Sequence, residues 1–454
     1  MGFFKAYDMR GTFGADFDLN TVYKVGKALP QVVSGGRWLV GRDCRTTSDA
    51  VHDALIAGLT DAGASVTDLG LCTTPMVYFF TAADDFDGSV MITASHNPPS
   101  DNGLKVSMKT ALPVGYANGL NEVEKIVAAD TSAYVPAATS VPAKPSAEHL
   151  ARYCDWQAAQ SDLRVFEQLR YAVDCSNGMA SILAHALFPN AVFLNDTLDG
   201  RFPNHSPNPL KADAREQLAR VVREQRLDCG VIFDGDADRA MFVDENGEFV
   251  QPDYLVPLVA KATIGTNEES GKDKPKIIHD VRTSRGAIEA LKEMGCEPVM
   301  VPVGHAFAKP ILRECGAVCG GELAGHYYFR EFTGCDSGVL AALRVLLEIA
   351  RAKADGKTFS EMMAPITGRY ANSGELNFKV EDKDAAIGRV LDCAQSLAKE
   401  VSRSTMDGLR LEYAEGWISV RKSNTEPYLR LLVECDTPDR LKAWTDRLTA
   451  AIGQ

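Results

Sequence analysis

Short apolar runs alternate with polar turns and helical patterns along most of the chain, and three stretches share one design. Residues 37–70, RWLVGRDCRTTSDAVHDALIAGLTDAGASVTDLG, open with an apolar run that reaches Asp43. A Ser/Thr-rich turn follows, then a helical period at Val51, Leu55 and Leu59, then a second apolar run. YAVDCSNGMASILAHALFPNAVFLND repeats this around Asp174, and KIIHDVRTSRGAIEALKEMGCEPVMVPVG repeats it around Asp280. Each predicts strand, polar turn with N-cap candidates, helix and strand. Three such units predict three α/β domains of related build. The last eighty or so residues differ: EGWISVRKSNTEPYLRLLVEC predicts strand, loop and strand. PDRLKAWTDRLTAAI predicts a closing amphipathic helix with Leu441, Trp444 and Leu448 on one face. The expected fold class is therefore α/β: three related α/β domains plus a C-terminal α+β domain.

Composition shifts set the expected boundaries. An Ala/Pro/Ser/Thr-rich stretch at 130–149 reads as a linker, and GEFVQPDYLV and APITGRYANSGEL read as further junctions. These give expected domains at 1–140, 150–250, 251–365 and 370–454, where a prior of roughly 150 residues per domain suggests about three in a chain of 454 and leaves four possible. GTNEESGKDKPK reads as a solvated loop. The best apolar run, GVLAALRVLLEIA, is broken by Arg344 and Glu348 and falls short of the ~18 residues needed to cross a bilayer. The chain starts Met-Gly without a basic and apolar leader, and Ala6 stands where a myristoylation motif wants Ser or Thr. A net charge of −13 argues against a nucleic-acid surface but leaves anionic small ligands open. Eleven cysteines contain no C-x-x-C pair, and Cys315 and Cys319, the closest, have no metal-spaced partners. The expectation is a cytoplasmic protein with reduced thiols, no membrane and no nucleic-acid partner.

Chemistry concentrates first in CGVIFDGDADRAMFVDENG, where Asp234, Asp236 and Asp238 follow an apolar strand at alternate positions. On a helix the three would scatter, but an extended or looped backbone turns them to one side. Converging carboxylates repel unless a cation lies between them, and an all-oxygen set favours Mg²⁺ over zinc. A helix-loop-helix calcium site would place Glu245 at its twelfth position, but Arg239 stands where its glycine belongs and AMFV reads as strand. Arg239 beside the cluster suits a phosphate. No P-loop and no G-x-G-x-x-G supplies a nucleotide. The alternative phosphate carrier is a side chain, with Ser95 the candidate, although TASHNP by itself also reads as an ordinary polar turn. Ser95 in TASHNP follows the apolar run SVMI on a proline-terminated turn, flanked by His96 and Asn97, with Lys105 downstream. Lys105 offers positive charge, or a transferable proton if burial or cationic neighbours lower its pKa.

TASHNP with NGLK, DGDADR, GGELAGH (320–326) and RKSNTEP (421–427), in that order after the opening FKAYDMRG, resemble the α-D-phosphohexomutase superfamily. Within it the chain is most similar to the bacterial phosphomannomutase/phosphoglucomutase group, from about residue 4 to 434. The resemblance implies that Ser95 is the phosphoserine and that Ser95, Asp234, Asp236 and Asp238 hold Mg²⁺. It implies that Glu322 and His326, in a loop with Ala324 and Gly325, read sugar hydroxyls. Arg421, Ser423, Asn424 and Thr425 are implied to bind the phosphate that is not transferred, with Arg430 closing the pocket. Tyr7, Arg10 and Lys105 resemble residues beside the phosphoserine, and Arg282, Gly304 and His305 resemble further substrate contacts. Catalytic roles fall to Ser95, His96, Lys105 and Arg239.

The family usually has serine where Ala324 stands, so one donor to a sugar hydroxyl is missing, a change of order 1 kcal/mol. The implied reaction interconverts hexose 1-phosphate and hexose 6-phosphate of mannose, glucose or both, through a hexose 1,6-bisphosphate intermediate and activator. A turnaround of that intermediate favours a central cleft shared by four domains with a mobile last one, in a monomer or weak dimer. A glucosamine-phosphate mutase is disfavoured by Asn424 and Leu323. A Mg²⁺-dependent phosphohydrolase with Asp234 as nucleophile fails its D-x-D-G-[TS] pattern at Ala237 and Asp238. A silent sugar-phosphate binder is opposed by the intact Ser95 and aspartate set.

Overall fold

In the computed structural model, residues 2–136, 144–266, 274–423 and 428–453 are described. The first sheet is centred on β2 (Arg37–Arg42), which pairs in parallel with β3 (Ser65–Leu71) and β4 (Gly88–Ile92). Beyond β4 the direction reverses: β5 (Asp101–Met108) is antiparallel to it, and β1 (Met9–Thr12) and the short β6 (Leu112–Pro113) pair antiparallel to β5. The second sheet repeats the plan. Here β7 (Tyr171–Asp174) lies between parallel β8 (Val192–Leu194) and β9 (Cys229–Phe233), followed by antiparallel β10 (Ala240–Asp244) and β11 (Phe249–Val250). So does the third, with β12 (Lys276–Asp280) between parallel β13 (Glu297–Val301) and β14 (Cys319–Gly321), then antiparallel β15 (Tyr327–Phe329) and β16 (Cys335–Asp336). The fourth sheet is antiparallel throughout: β19 (Glu400–Ser404), β20 (Leu409–Tyr413), β21 (Gly416–Lys422) and β22 (Leu429–Cys435), with β17 (Ala371–Asn372) and β18 (Leu376–Phe378) against β22.

The three related sheets also share a corner. Asp43, Asp174 and Asp280 lie buried just past or at the ends of β2, β7 and β12. Each accepts a hydrogen bond from the backbone N–H two residues on, at 3.0, 2.8 and 2.6 Å. Each carboxylate also meets a basic side chain: Arg45 at 3.2 Å, His205 at 3.2 Å and Arg282 at 2.5 Å. The middle repeat departs from its predicted helix, which is reduced to a 3₁₀ turn at Met179–Ile182 and a single turn at Ala184–Leu187. Pro189 follows closely and disfavours helical geometry at Phe188.

The apolar run that sequence places below membrane length is an interior helix, Gly338–Ala354, capped by Ser337. Arg344 and Glu348 are buried in it and paired, Arg344 with Glu331 at 2.7 Å and Glu348 with Lys261 at 2.6 Å. Among the described residues no helix is long and apolar enough to cross a membrane. One apolar cluster runs from Leu39 and Phe80 through Phe166 and Phe233 to Leu340 and Phe359, so the first three units share a core. The fourth has its own, built from β20–β22 and the helix Pro438–Ile452, with Trp444 and Leu448 buried as the period predicts. Among the described residues a small buried patch, Leu323 with Trp417 and Leu432, bridges apolar side chains from the third unit to the fourth.

Candidate active site

The buried strand β4 ends at Ile92, and the chain then turns sharply: Ser95 takes φ 51°, a left-handed conformation costly for a side-chain-bearing residue. Its N–H donates to Thr93 Oγ1 at 2.8 Å. Its side chain, 1% exposed, donates from Oγ to Asp234 Oδ2 at 2.8 Å and lies 3.2 Å from His96 Nδ1. Asp234 belongs to the turn joining β9 and β10, where Ala237 also takes positive φ, 61°. As the alternate spacing predicts, a non-helical backbone gathers Asp234, Asp236 and Asp238, with oxygens within 4.8 Å of one another and all three buried. β10 follows directly, and Glu245 bonds Ser360 at 2.5 Å, so the calcium-loop alternative is excluded by the backbone.

Lys105, on β5, donates from Nζ to Asp236 Oδ2 and Asp238 Oδ2, both at 2.6 Å, and Thr74 Oγ1 donates to Asp236. Burial opposes ionisation of all three aspartates. In Asp234 burial, with Asp238 and Asp236 alongside, wins, and its carboxyl is pushed well up. In Asp236 and Asp238 the Lys105 ammonium overcomes burial and holds them down. Of the two roles sequence leaves open for Lys105, its surroundings favour the positive charge: burial lowers its pKa, but Asp236 and Asp238 more than reverse this. His96 is held neutral by burial and by Arg239, Arg10 and Lys105. Asp236 Oδ1 and Asp238 Oδ1 are buried without a hydrogen-bond partner. Orphaned carboxylate oxygens in an all-oxygen cluster fit a hard divalent cation, so the site is an acidic metal site.

Arg239 lies 3.9 Å from Asp234 and 3.8 Å from Asp238, and its Nε donates to His326 Nε2 at 3.0 Å. On the other side of the ring, His326 Nδ1 is 2.7 Å from Asp336 Oδ2, which fixes the proton on Nδ1. Buried Lys309 pairs with Asp336 at 2.7 Å. The 322–326 turn closes by Glu322 N donating to His326 O at 2.9 Å, and docks on β10 where Ala240 N donates to Gly325 O at 3.2 Å. Burial pushes the Glu322 carboxyl up, and its Oε1 accepts from Gly304 N at 2.8 Å. Gly304 sits at φ 120°, and a Cβ there would stand 3.2 Å from the Tyr7 ring. Tyr7 OH donates to Val303 O at 3.3 Å, so Tyr7 faces the third unit, whereas Arg10 reaches the serine turn through Asn97 at 3.1 Å. His305, its ring 6.1 Å from that of His326, is held neutral by burial and Lys309. Ala324 is half-buried in the same turn.

From the fourth unit, Arg421 lies 3.7 Å from both Glu375 and Asp407, and Arg430 lies 2.9 Å from Glu375. Glu375 also meets Arg282 at 3.3 Å, and Asp407 accepts from Val303 N at 3.1 Å. Ser423 N donates to Tyr428 O at 2.9 Å, closing the base of the loop; Asn424 and Thr425 lie outside the described residues. A continuous line of contacts thus runs from Ser95 through Asp234, Arg239, His326, Glu322, Gly304, Val303 and Asp407 to Arg421, drawing on all four units. Sequence reasoning missed Asp336, Lys309, Glu375 and Asp407, each a lone charged residue outside any motif.

Family descriptions of the phosphoglucomutase/phosphomannomutase domains match this chain in order: alpha/beta/alpha domain I at residues 1–134, domain II at 145–247, domain III at 251–370 and the C-terminal domain at 375–451. The chain belongs to the phosphoglucomutase/phosphomannomutase family. It is 35% identical over 435 residues to a protein of Xanthomonas campestris pv. campestris named "Phosphohexose mutases", covering 95% of this chain and 94% of that one. It is likewise 35% identical over 442 residues to a phosphomannomutase of Escherichia coli, with coverage of 95% and 94%. A crystal structure of a phosphoglucomutase/phosphomannomutase family protein from Burkholderia thailandensis superposes with a TM-score of 0.81 at 28% identity, covering 99% of this chain and 97% of that one.

Proposed function

We infer that the protein is a phosphohexomutase that interconverts hexose 1-phosphate and hexose 6-phosphate, of mannose, glucose or both, through phospho-Ser95. The observation that carries this reading is the Ser95 hydroxyl, buried and 2.8 Å from Asp234 inside a three-carboxylate cluster. In the first half-reaction the bond between phosphorus and Ser95 Oγ breaks and a bond from phosphorus to O1 or O6 of the hexose monophosphate forms, giving the 1,6-bisphosphate. The hydroxyl proton passes by way of a neutral imidazole to the departing Ser95 Oγ, and His96, 3.2 Å from that oxygen, is best placed to relay it. After the bisphosphate turns around, its other phosphate returns to Ser95 and the proton returns to the sugar oxygen.

Asp234, Asp236 and Asp238 would hold Mg²⁺ with the phosphoserine, and the ion would supply charge neutralisation of the phosphoryl group. Lys105 and Arg239 place positive charge beside the transferring group. Glu322 accepts from sugar hydroxyls, and His326, its ring locked by Asp336, holds the orientation of Arg239. Arg421, Ser423, Asn424, Thr425 and Arg430 bind the other phosphate, with Arg282 tied to them through Glu375. The small apolar attachment of the fourth unit supports a last domain that moves during the turnaround. Eleven unpaired cysteines support action in a reducing cytoplasm. Ser95→Ala should abolish interconversion of glucose 1-phosphate and glucose 6-phosphate while leaving the fold intact; turnover like that of the unaltered protein would remove Ser95 from the reaction.

A further inference from the structure

We propose that Arg45 is a positioning residue for phosphoryl transfer: it locks the Ser95 turn and seats it against the acidic loop. This rests on the role assigned to Ser95 above. Arg45 stands two residues past Asp43, at the corner the three related sheets share, and its guanidinium is closed off from solvent. Arg45 faces Asp43 through Nε, but unlike Arg282 at the matching corner of the third sheet, whose terminal nitrogens turn to carboxylates, it directs Nη1 and Nη2 to backbone. Nη2 donates to Ser95 O at 2.8 Å and Asn97 O at 2.7 Å. Nη1 donates to Pro98 O at 2.6 Å and Asp101 O at 2.8 Å. One side chain therefore gathers four carbonyls of a seven-residue turn, including that of the residue held at φ 51°.

The same guanidinium reaches across the domain boundary. It stacks on Phe202 of the second unit, 5.1 Å from the ring centroid, and Phe202 is itself held at positive φ, 49°. Phe202 abuts Gly235, between the first two aspartates, where a Cβ would stand 3.5 Å from the ring and 2.6 Å from Ser95 O. Gly200, in the same segment, packs so closely that a Cβ would stand 2.1 Å from Cys44 O and 2.5 Å from Arg45 Cα. Arg45 thus lies where the serine turn, the Phe202 segment and the acidic loop meet. A guanidinium fork suits this position, because a lysine has at most three donors on a flexible stem and cannot hold four carbonyls in a plane. A displaced Ser95 oxygen would still leave the sugar and phosphate contacts of the third and fourth units in place. Loss should therefore fall on the chemical step.

The test compares Arg45→Gln and Arg45→Lys with the unaltered protein and Ser95→Ala, measuring kcat and KM for glucose 1-phosphate with Mg²⁺ and glucose 1,6-bisphosphate, and Tm. A displacement of ~1 Å at a reacting atom costs of order 100-fold, so Arg45→Gln should lose about that in kcat. Its KM should stay within about threefold, since Arg45 does not hold the substrate. Arg45→Lys should keep a Tm close to that of the unaltered protein and still lose at least tenfold in kcat, of order 1.4 kcal/mol in barrier. A folded variant of either kind with undiminished kcat overturns the proposal, as does a loss carried by KM. Failure of both variants to fold makes Arg45 part of the scaffold and overturns it too. Absence of turnover in the unaltered protein, by contrast, refutes the reading of Ser95 on which the proposal stands.

Discussion

Lys105→Met removes an ammonium that lies 2.6 Å from two buried carboxylates while keeping an apolar stem of similar length. Breaking a buried ion pair from one side costs about 3–5 kcal/mol, because the partner charge is left without compensation. At ~2.1 cal/mol/K per residue, a cooperative unit of this size shifts by about 1 °C per kcal/mol, so Tm in EDTA should fall by about 3–5 °C. The aspartates will relieve part of this by taking up protons, which sets the sign of a pH effect. In the variant their pKa values rise above those of the unfolded chain, so stability is lost as pH rises, and the deficit should be larger at pH 8 than at pH 5. A divalent cation bound only by the folded state restores about 2.7 kcal/mol at a hundred times its Kd. Mg²⁺ should therefore raise Tm more in Lys105→Met than in the unaltered protein. Differential scanning fluorimetry in EDTA and across a Mg²⁺ series reads all three effects. A variant within about 2 °C of the unaltered protein in EDTA, or one that answers Mg²⁺ no more strongly, would refute the assignment of Lys105 as a fixed counter-charge to the acidic cluster.

Ala324→Ser restores a donor to the sugar turn and should lower KM for the preferred hexose phosphate by roughly fivefold, the equivalent of about 1 kcal/mol; an unchanged or higher KM in steady-state assays would remove Ala324 from substrate binding. Asp253, buried in the third unit with its Oδ2 accepting from Ser284 N at 2.8 Å, is pushed up to about 7 by burial, so stability should decline as pH rises from about 4 to 7. Asp253→Asn should flatten that slope in urea titrations at a series of pH values; a slope unaltered by the substitution would contradict the shift. Leu323→Ala cuts the apolar bridge to Trp417 and Leu432 and should cost ~2 kcal/mol at a site at the edge of the core. Its KM for hexose phosphate should rise more than its kcat falls, and an effect on kcat alone would deny the patch a role in bringing the fourth unit to the substrate.

Local signals carried much of the architecture. The corner motif at Asp43, Asp174 and Asp280 is written in apolar run, aspartate and small polar residues, because an Asx turn is made within two residues of itself. The aspartate triplet is legible for the same reason: alternate spacing on an extended turn forces convergence whatever surrounds it. TASHNP alone reads as a polar turn, and Ser95 is legible only together with the aspartate triplet, which wants a phosphate ligand, and the ordered motifs downstream. The Lys105 protonation state was not legible, since it depends on Asp236 and Asp238, more than a hundred residues away in sequence. Arg45, Asp336 and Glu375 carry no motif, and their meaning lies in partners set by sheet order and domain packing. The middle helix predicted from apolar period is only a 3₁₀ turn and one α-turn; Pro189 bounds it at Phe188, and the period alone does not fix helix length or type.

Transfer of a single phosphoryl group can be followed on the enzyme itself. The protein is charged with glucose 1,6-bisphosphate and Mg²⁺, freed of excess reagent, and mixed with one equivalent of glucose 1-phosphate, while peptide mass spectrometry and phosphate analysis follow the label. Phosphate should reside on Ser95 before mixing and leave only to form the 1,6-bisphosphate and glucose 6-phosphate, with no inorganic phosphate in step. Label on another residue, or its release to water at the rate of turnover, would contradict a mutase that works through a phosphoserine.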